Sequence, residues 1–142
     1  MIVRLLAPQI SIYWEAIKYA LTQMPFFREA SRRKLFNIYL ANLLADKMQC
    51  WFIIDEERKL KSIIITSLVN ELDELEIHLN AAYGYLPANF SDAREFFETM
   101  MRWARNIGAK RIIGDVVPRQ LDRVFEEAGY RLDSKVYVKE VG

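Results

Sequence analysis

Cysteine and histidine are almost missing from this chain, which has one of each, Cys50 and His78. No intramolecular disulfide can form, and a zinc site built on clustered Cys and His is excluded, so no metal is expected. An excess of charge of one sign is missing too. The 20 Lys and Arg against 19 Asp and Glu leave no overall field to hold nucleic acid or an acidic membrane. Long apolar runs are absent as well: Met1–Pro8 is interrupted by Arg4, and Leu60–Val69 by Lys61, Ser62, Thr66 and Ser67. Neither stretch can span a bilayer or act as a secretory segment, and the cytoplasm is the expected compartment. Repeats, low-complexity stretches and Gly/Ser linkers are lacking, so residues 1–142 read as a single domain. What is present is 52% hydrophobic residues in a 142-residue chain, enough for one substantial core.

The apolar pattern divides into ten elements. Ile2–Leu6 reads as a strand closed by Pro8. Ser11 is placed to cap a helix carrying Tyr13, Ile17, Ala20, Leu21 and Met24, which Pro25 ends. A second helix is expected over Arg28–Asp46, with an apolar stripe of Leu35, Tyr39 and Leu43. Its Arg28, Arg32, Arg33 and Lys34 read as a solvated face rather than an anion patch. Cys50–Asp55 and Lys61–Val69 form a hairpin about the polar turn Glu56–Lys59. After a second turn, Asn70–Asp73, comes a strand in which Leu75, Ile77 and Leu79 alternate with Glu76, His78 and Asn80. Ser91 is placed to cap a long helix with Ala93, Phe97, Met100, Ala104 and Ile107 inward, widened by Phe96 and Met101, and Gly108 ends it. Lys110–Val117 is a strand reached by a β-α-β crossover, hence parallel to its predecessor or splayed from it. Gln120–Ala128 is a helix ended by Gly129. Tyr130–Val141 supplies a last strand, whose alternating Val136 and Val138 can pair across a homodimer. The order is β-α-α-β-β-β-α-β-α-β, an α/β (α+β) fold.

That order, with RWARNIGAKRIIGDV (Arg102–Val116) and RVFEEAGYRL (Arg123–Leu132), resembles the GNAT superfamily of acetyl-CoA-dependent N-acetyltransferases, in particular small GNAT-like proteins often encoded by bacteriophages. The resemblance covers nearly the whole chain. It implies a mixed central sheet of about six strands with helices on both faces, acetyl-CoA as donor, and a small-molecule or protein amine as acceptor.

The resemblance also assigns residues. Glu76 and His78, on one face of the strand that carries the family's base, are the candidate bases, and the alternative is that they and Asn80 form a solvated sheet face. Ala81, Ala82, Tyr83 and Tyr85 would line the donor cleft. The family's Q/R-x-x-G-x-G/A phosphate loop corresponds to LPANFSDAR, Leu86–Arg94, which has no glycine. Asp92 places a carboxylate in the first helical turn, where it would repel a pyrophosphate. The backbone N–H groups near Ser91, with Arg94 and Arg119, remain to hold phosphate. Where the family has its acid tyrosine this chain has Phe125, which leaves Tyr130 or Tyr137 for that role, and Pro118 replaces the family's asparagine. Cys50 reads as a buried apolar residue. Two readings result: an N-acyltransferase, or a GNAT-fold module without catalysis that serves binding or assembly.

Overall fold

The computed structural model describes residues 1–24, 26–85, 90–114, 121–133, 137 and 139–141. The elements run β1 (Ile2–Arg4), α1 (Ala7–Ile12), α2 (Trp14–Thr22), a 3-10 turn (Glu29–Ser31), α3 (Arg32–Leu44), β2 (Met48–Ile54), β3 (Leu60–Glu71), β4 (Glu74–Gly84), α4 (Phe90–Ile107), β5 (Arg111–Gly114) and α5 (Asp122–Glu127). The strands lie in sequence order in one sheet. β1 to β4 are antiparallel, and β5 joins β4 in parallel. A parallel neighbour needs a crossover, and α4 supplies it.

Both faces of the sheet are covered, which is why β2 and β3 carry continuous apolar runs rather than a two-residue alternation. On one face Cys50, Phe52, Ile63 and Ile65 pack with Ile10, Ile17 and Leu21 of the first two helices and Tyr39 and Leu43 of α3. On the other, Trp51, Ile53, Ile64, Ile77 and Leu79 pack with Phe96, Met100 and Ala104 of α4.

Several expected boundaries move. The first helix starts at Ala7, before Ser11, because Pro8 fits a first helical turn and the Gln9 side chain accepts the Leu6 N–H at 2.8 Å. Ser11 lies inside α1, and the helix is interrupted at Tyr13. Likewise α4 starts at Phe90, which makes Ser91 a helical residue and not the cap. Met101 is half exposed, so the inner stripe of α4 is narrower than expected. β4 runs on to Gly84, four residues past the expected Asn80. The described sheet has five strands rather than about six: Tyr130–Asp133, Tyr137 and Lys139–Val141 are not in strands, and Val136 and Val138 lie outside the described residues. Pro25 is outside them too. Gly108 and Gly129 end their helices with φ of 76° and 90°, as left-handed caps require. Among the described residues no helix is long and apolar enough to cross a membrane.

The β3–β4 turn is strained by its sequence. Glu71 pairs with Glu74, so Leu72 and Asp73 form a two-residue turn with φ of 52° and 63°. Both positions need left-handed backbone, which favours Asn and Gly, yet Leu72 stands there 94% exposed. Leu72→Asn is therefore expected to stabilise the protein by about 0.5–1 kcal/mol, read as a higher urea midpoint at constant m.

Candidate active site

The site is organised by an irregularity in β4. Ile65 pairs with Ala81 and Thr66 with Leu79, so Asn80 is an extra residue, a β-bulge. A bulge bends its strand and re-aims side chains, and bulges gather beside functional sites. Among the described residues β5 pairs with β4 from Glu76 to Leu79. Beyond that point β4 continues with β3 on one edge, while its other edge has no strand partner among the described residues.

Ile77 and Leu79 belong to the α4 side of the core, so strand alternation puts Glu76 and His78 on the α1–α3 side. The solvated-face alternative fails here, since Glu76 is buried and only 1% exposed. His78 Nε2 lies 3.3 Å from Glu76 Oε1, and the Arg111 guanidinium is ion-paired with Oε2. The hydrogen bond from His78 holds the Glu76 carboxyl below the ordinary carboxylate range; burial opposes this, and Arg111 adds to it. Next to the pair, the Ser67 hydroxyl donates to Asn80 Oδ1 at 2.7 Å.

Further along β4, Ala81 and Tyr83 pack toward α1–α3, Ala82 is exposed and Tyr85 is half exposed. Tyr83 and Tyr85 meet Tyr19 of α2, with ring centroids 5.6 Å and 6.4 Å from it. The Tyr83 phenol is pushed up, first by its hydrogen bond to Tyr19 and then by burial.

The first turn of α4 carries Asp92, the carboxylate expected to repel a pyrophosphate. Asp92 is ion-paired with Lys61 at 2.6 Å, so its charge is met by a cation and not left facing the helix end. A second bulge produces this contact: Ile53 pairs with Ser62 and Ile54 with Leu60, which leaves Lys61 as the extra residue. Ser91 and Arg94 are exposed in the first turns of α4. Arg94, Arg102 and Arg105 stand along a groove of about 850 Å³ between α4 and α5. Residues 86–89 of the expected phosphate loop, and Pro118 and Arg119, lie outside the described residues.

Tyr130 is not brought to Glu76 and His78. It packs on Phe97 and Phe125, with ring centroids 5.2 Å and 5.0 Å away, on the α4–α5 side. Burial pushes its phenol up to about 12, and its hydroxyl has no hydrogen-bond partner among the described residues. Tyr137 is exposed. The Cys50 thiol is fully buried and pushed up to about 12, as an inert core cysteine should be. Among the described residues no cluster could hold a metal ion. Sequence reasoning missed Arg111, Lys61 and Tyr19. The one signal for the first two was a cation inside a strand that otherwise reads as buried.

A five-stranded mixed sheet with a bulged fourth strand, a parallel fifth strand and helices on both faces is the fold of the GNAT acetyltransferases. No protein-family model matches the chain, nor does any curated protein. Solved structures do. The chain is similar to a probable acetyltransferase at 18% identity and a TM-score of 0.71, covering 100% of this chain and 98% of that one. It is similar to a predicted acetyltransferase with acetyl-CoA from Clostridium acetobutylicum at 11% identity and a TM-score of 0.73, covering 99% and 95%. It is also similar to AAC(6')-Iy, solved with the bisubstrate analogue CoA-S-monomethyl-acetylneamine, at 14% identity and a TM-score of 0.72, covering 100% and 97%. At such identities these likenesses establish the fold, and chemistry has to be argued from the site.

Proposed function

We propose that the chain is an N-acyltransferase that moves an acyl group from acetyl-CoA to an amine, either a small molecule or a protein. The observation that carries this reading is the arrangement on β4, where a buried Glu76–His78 pair sits beside a bulge at Asn80 and a strand edge that extends past β5. Edge N–H and C=O groups can hold an amide-containing chain as an added strand would be held. With Asp92 met by Lys61, the first turn of α4 suits a diphosphate. The residues present thus fit coenzyme A: Ala81 and Ala82 for the pantetheine arm, and the α4 start with Ser91, Arg94 and Lys61 for phosphate. When bound, acetyl-CoA supplies an acyl carbon activated as a thioester.

The chain must then prepare the amine. An ammonium has no lone pair, so one proton passes to the Glu76–His78 pair and on to water. The amine lone pair forms the C–N bond as the C–S bond breaks, and the second amine proton ends on the departing thiolate. Amide, thiol and one released proton account for all atoms. Tyr130, kept protonated by burial, is the proposed relay for that transfer: its phenol would give its proton to the thiolate and take the second amine proton in return. Acetyl-CoA also favours an intracellular, cytoplasmic setting.

A second reading keeps the fold without catalysis, as a binding or assembly protein of bacteriophage type, and the glycine-free stretch Leu86–Arg94 favours it. Thermal titration with acetyl-CoA separates the two. The acyltransferase should gain about 2.7 kcal/mol at a hundredfold excess over Kd, and Lys61→Met should reduce that gain because the start of α4 then has one cation fewer beside the phosphates. An unchanged melting temperature at millimolar acetyl-CoA overturns the enzyme.

A further inference from the structure

Beyond Leu79, where its described pairing with β5 ends, β4 carries Tyr83 and Tyr85, and α2 sets Tyr19 against both. The three rings form one cluster, with centroids 5.6 Å apart for Tyr19 and Tyr83, 6.4 Å for Tyr19 and Tyr85, and 4.9 Å for Tyr83 and Tyr85. Tyr83 stands at 84° and 85° to the other two, which lie within 18° of parallel. Aromatic clusters usually belong to a core, where their area is removed from water. Here Tyr19 is 50% exposed and Tyr85 40%, and an exposed aromatic patch beside a strand edge marks a surface on which something binds.

Ring electrostatics decide what binds. The face of an aromatic ring is negative, and a cation within about 6 Å of its centroid is attracted to it. With centroids this close together, one cation lying over the cluster comes within that reach of all three. The chain's own cations are spent elsewhere: among the described residues those that lie over rings are Arg4, Lys18 and Arg32, on Trp51, Trp103 and Phe36. Burial, and after it the Tyr19 phenol, pushes the Tyr85 phenol up, so its hydroxyl stays neutral and the attraction comes from the rings. Tyr83 packs toward α1–α3, the side of the sheet that also carries Glu76 and His78. It lies about 13–16 Å further along the strand than His78, at about 3.3 Å per residue and with one residue lost to the bulge. A nitrogen that attacks a thioester has given up its charge, whereas a nitrogen held over ring faces keeps it. The two are then different atoms of one acceptor.

We propose that Tyr19, Tyr83 and Tyr85 seat a cationic nitrogen of the acceptor other than the one that is acylated, so that the acceptor is a diamine or polyamine. As a statement about the acceptor this rests on the acyltransferase reading; the cation seat itself does not. The seat is tested without acetyl-CoA, by titrating protein labelled at the tyrosine ring carbons with choline, which has no amine to acylate, and with its uncharged isostere 3,3-dimethyl-1-butanol. Choline should move the signals of the three rings and bind at least about tenfold more tightly than the alcohol. Tyr19→Phe and Tyr85→Phe keep a ring face and identify the signals; their affinity for choline should stay within about twofold of wild type, whereas Tyr19→Leu and Tyr85→Leu should weaken it at least about fivefold. Equal binding of choline and the alcohol, shifts confined to other tyrosines, or unchanged choline affinity in the Leu variants overturns the seat, whether or not the chain is an enzyme. Should one Leu variant fail to fold, the other and the choline–alcohol pair decide the matter. In turnover, straight-chain diamines of increasing length should reach a kcat/KM at least about tenfold above that of monoamines of the same length, and Tyr19→Leu should remove the preference. Diamines no better than monoamines at any length overturn the acceptor assignment. No turnover with any amine while choline still binds overturns the acyltransferase reading instead and leaves the seat standing.

Discussion

His78→Gln is expected to lower the proposed amine-dependent release of coenzyme A by about 10²–10⁴-fold at neutral pH, the range that a positioned acid or base contributes. Glutamine keeps an amide near Glu76 and occupies a similar volume, so the fold and the Lys61–Asp92 contact should survive. The loss should fall on kcat/KM for the amine, and the thermal gain on adding acetyl-CoA should be kept. Thiol release followed with a panel of primary amines reads the first quantity, and a melting curve reads the second. Because Glu76 is buried and held by Arg111, it cannot take over as base at the surface. Full turnover in His78→Gln would leave water to take the proton and remove the pair from the chemistry.

Thr66→Val should destabilise the fold by about 2–6 kcal/mol, although the two side chains have nearly the same shape. Thr66 is fully buried on the α4 side of the sheet and is the middle of a polar chain. Its Oγ1 accepts the Trp51 Nε1–H at 3.0 Å and donates to Gln49 Oε1 at 2.8 Å, while Gln49 Nε2 donates to the Asp46 carbonyl at 3.0 Å. Valine leaves one buried donor and one buried acceptor without partners, and each such loss costs about 1–3 kcal/mol. Trp51 also packs edge-on against Trp103 of α4, so a tilt of its ring would be felt by the helix. The change should appear as a lower urea midpoint at constant m, and Thr66→Ser should recover most of it. A neutral Thr66→Val would mean that the buried chain contributes nothing to stability.

Much of the fold was legible because burial on both faces leaves unmistakable runs, such as Trp51–Ile54 and Ile63–Ile65, and because glycines mark the ends of α4 and α5. Helix starts were less legible. Ser11 and Ser91 are good caps by type, yet Pro8 with Gln9 began the first helix earlier, and α4 began at Phe90. The continuation of β4 was missed because a bulge at Asn80 reverses the alternation that a strand is recognised by. In the site, the pairing of Glu76 with His78 was within reach, since residues two apart on a strand share a face. Arg111 was not, because its place beside Glu76 depends on the register of two strands separated in sequence by a whole helix. Asp92 read as a repelling charge for the same reason: Lys61 reaches it through a bulge in β3 that composition does not announce.

The order in which the sheet can be assembled follows from its connections. β2, β3 and β4 are joined by tight turns, so their ladders close over short contours, whereas β5 must wait for the 18 residues of α4 to be threaded across the sheet. The joint that buries the acidic group of β4 therefore closes over a longer contour than these hairpins do. Until it closes that group stays hydrated, and the charge on β4 is enclosed only once its parallel neighbour has docked.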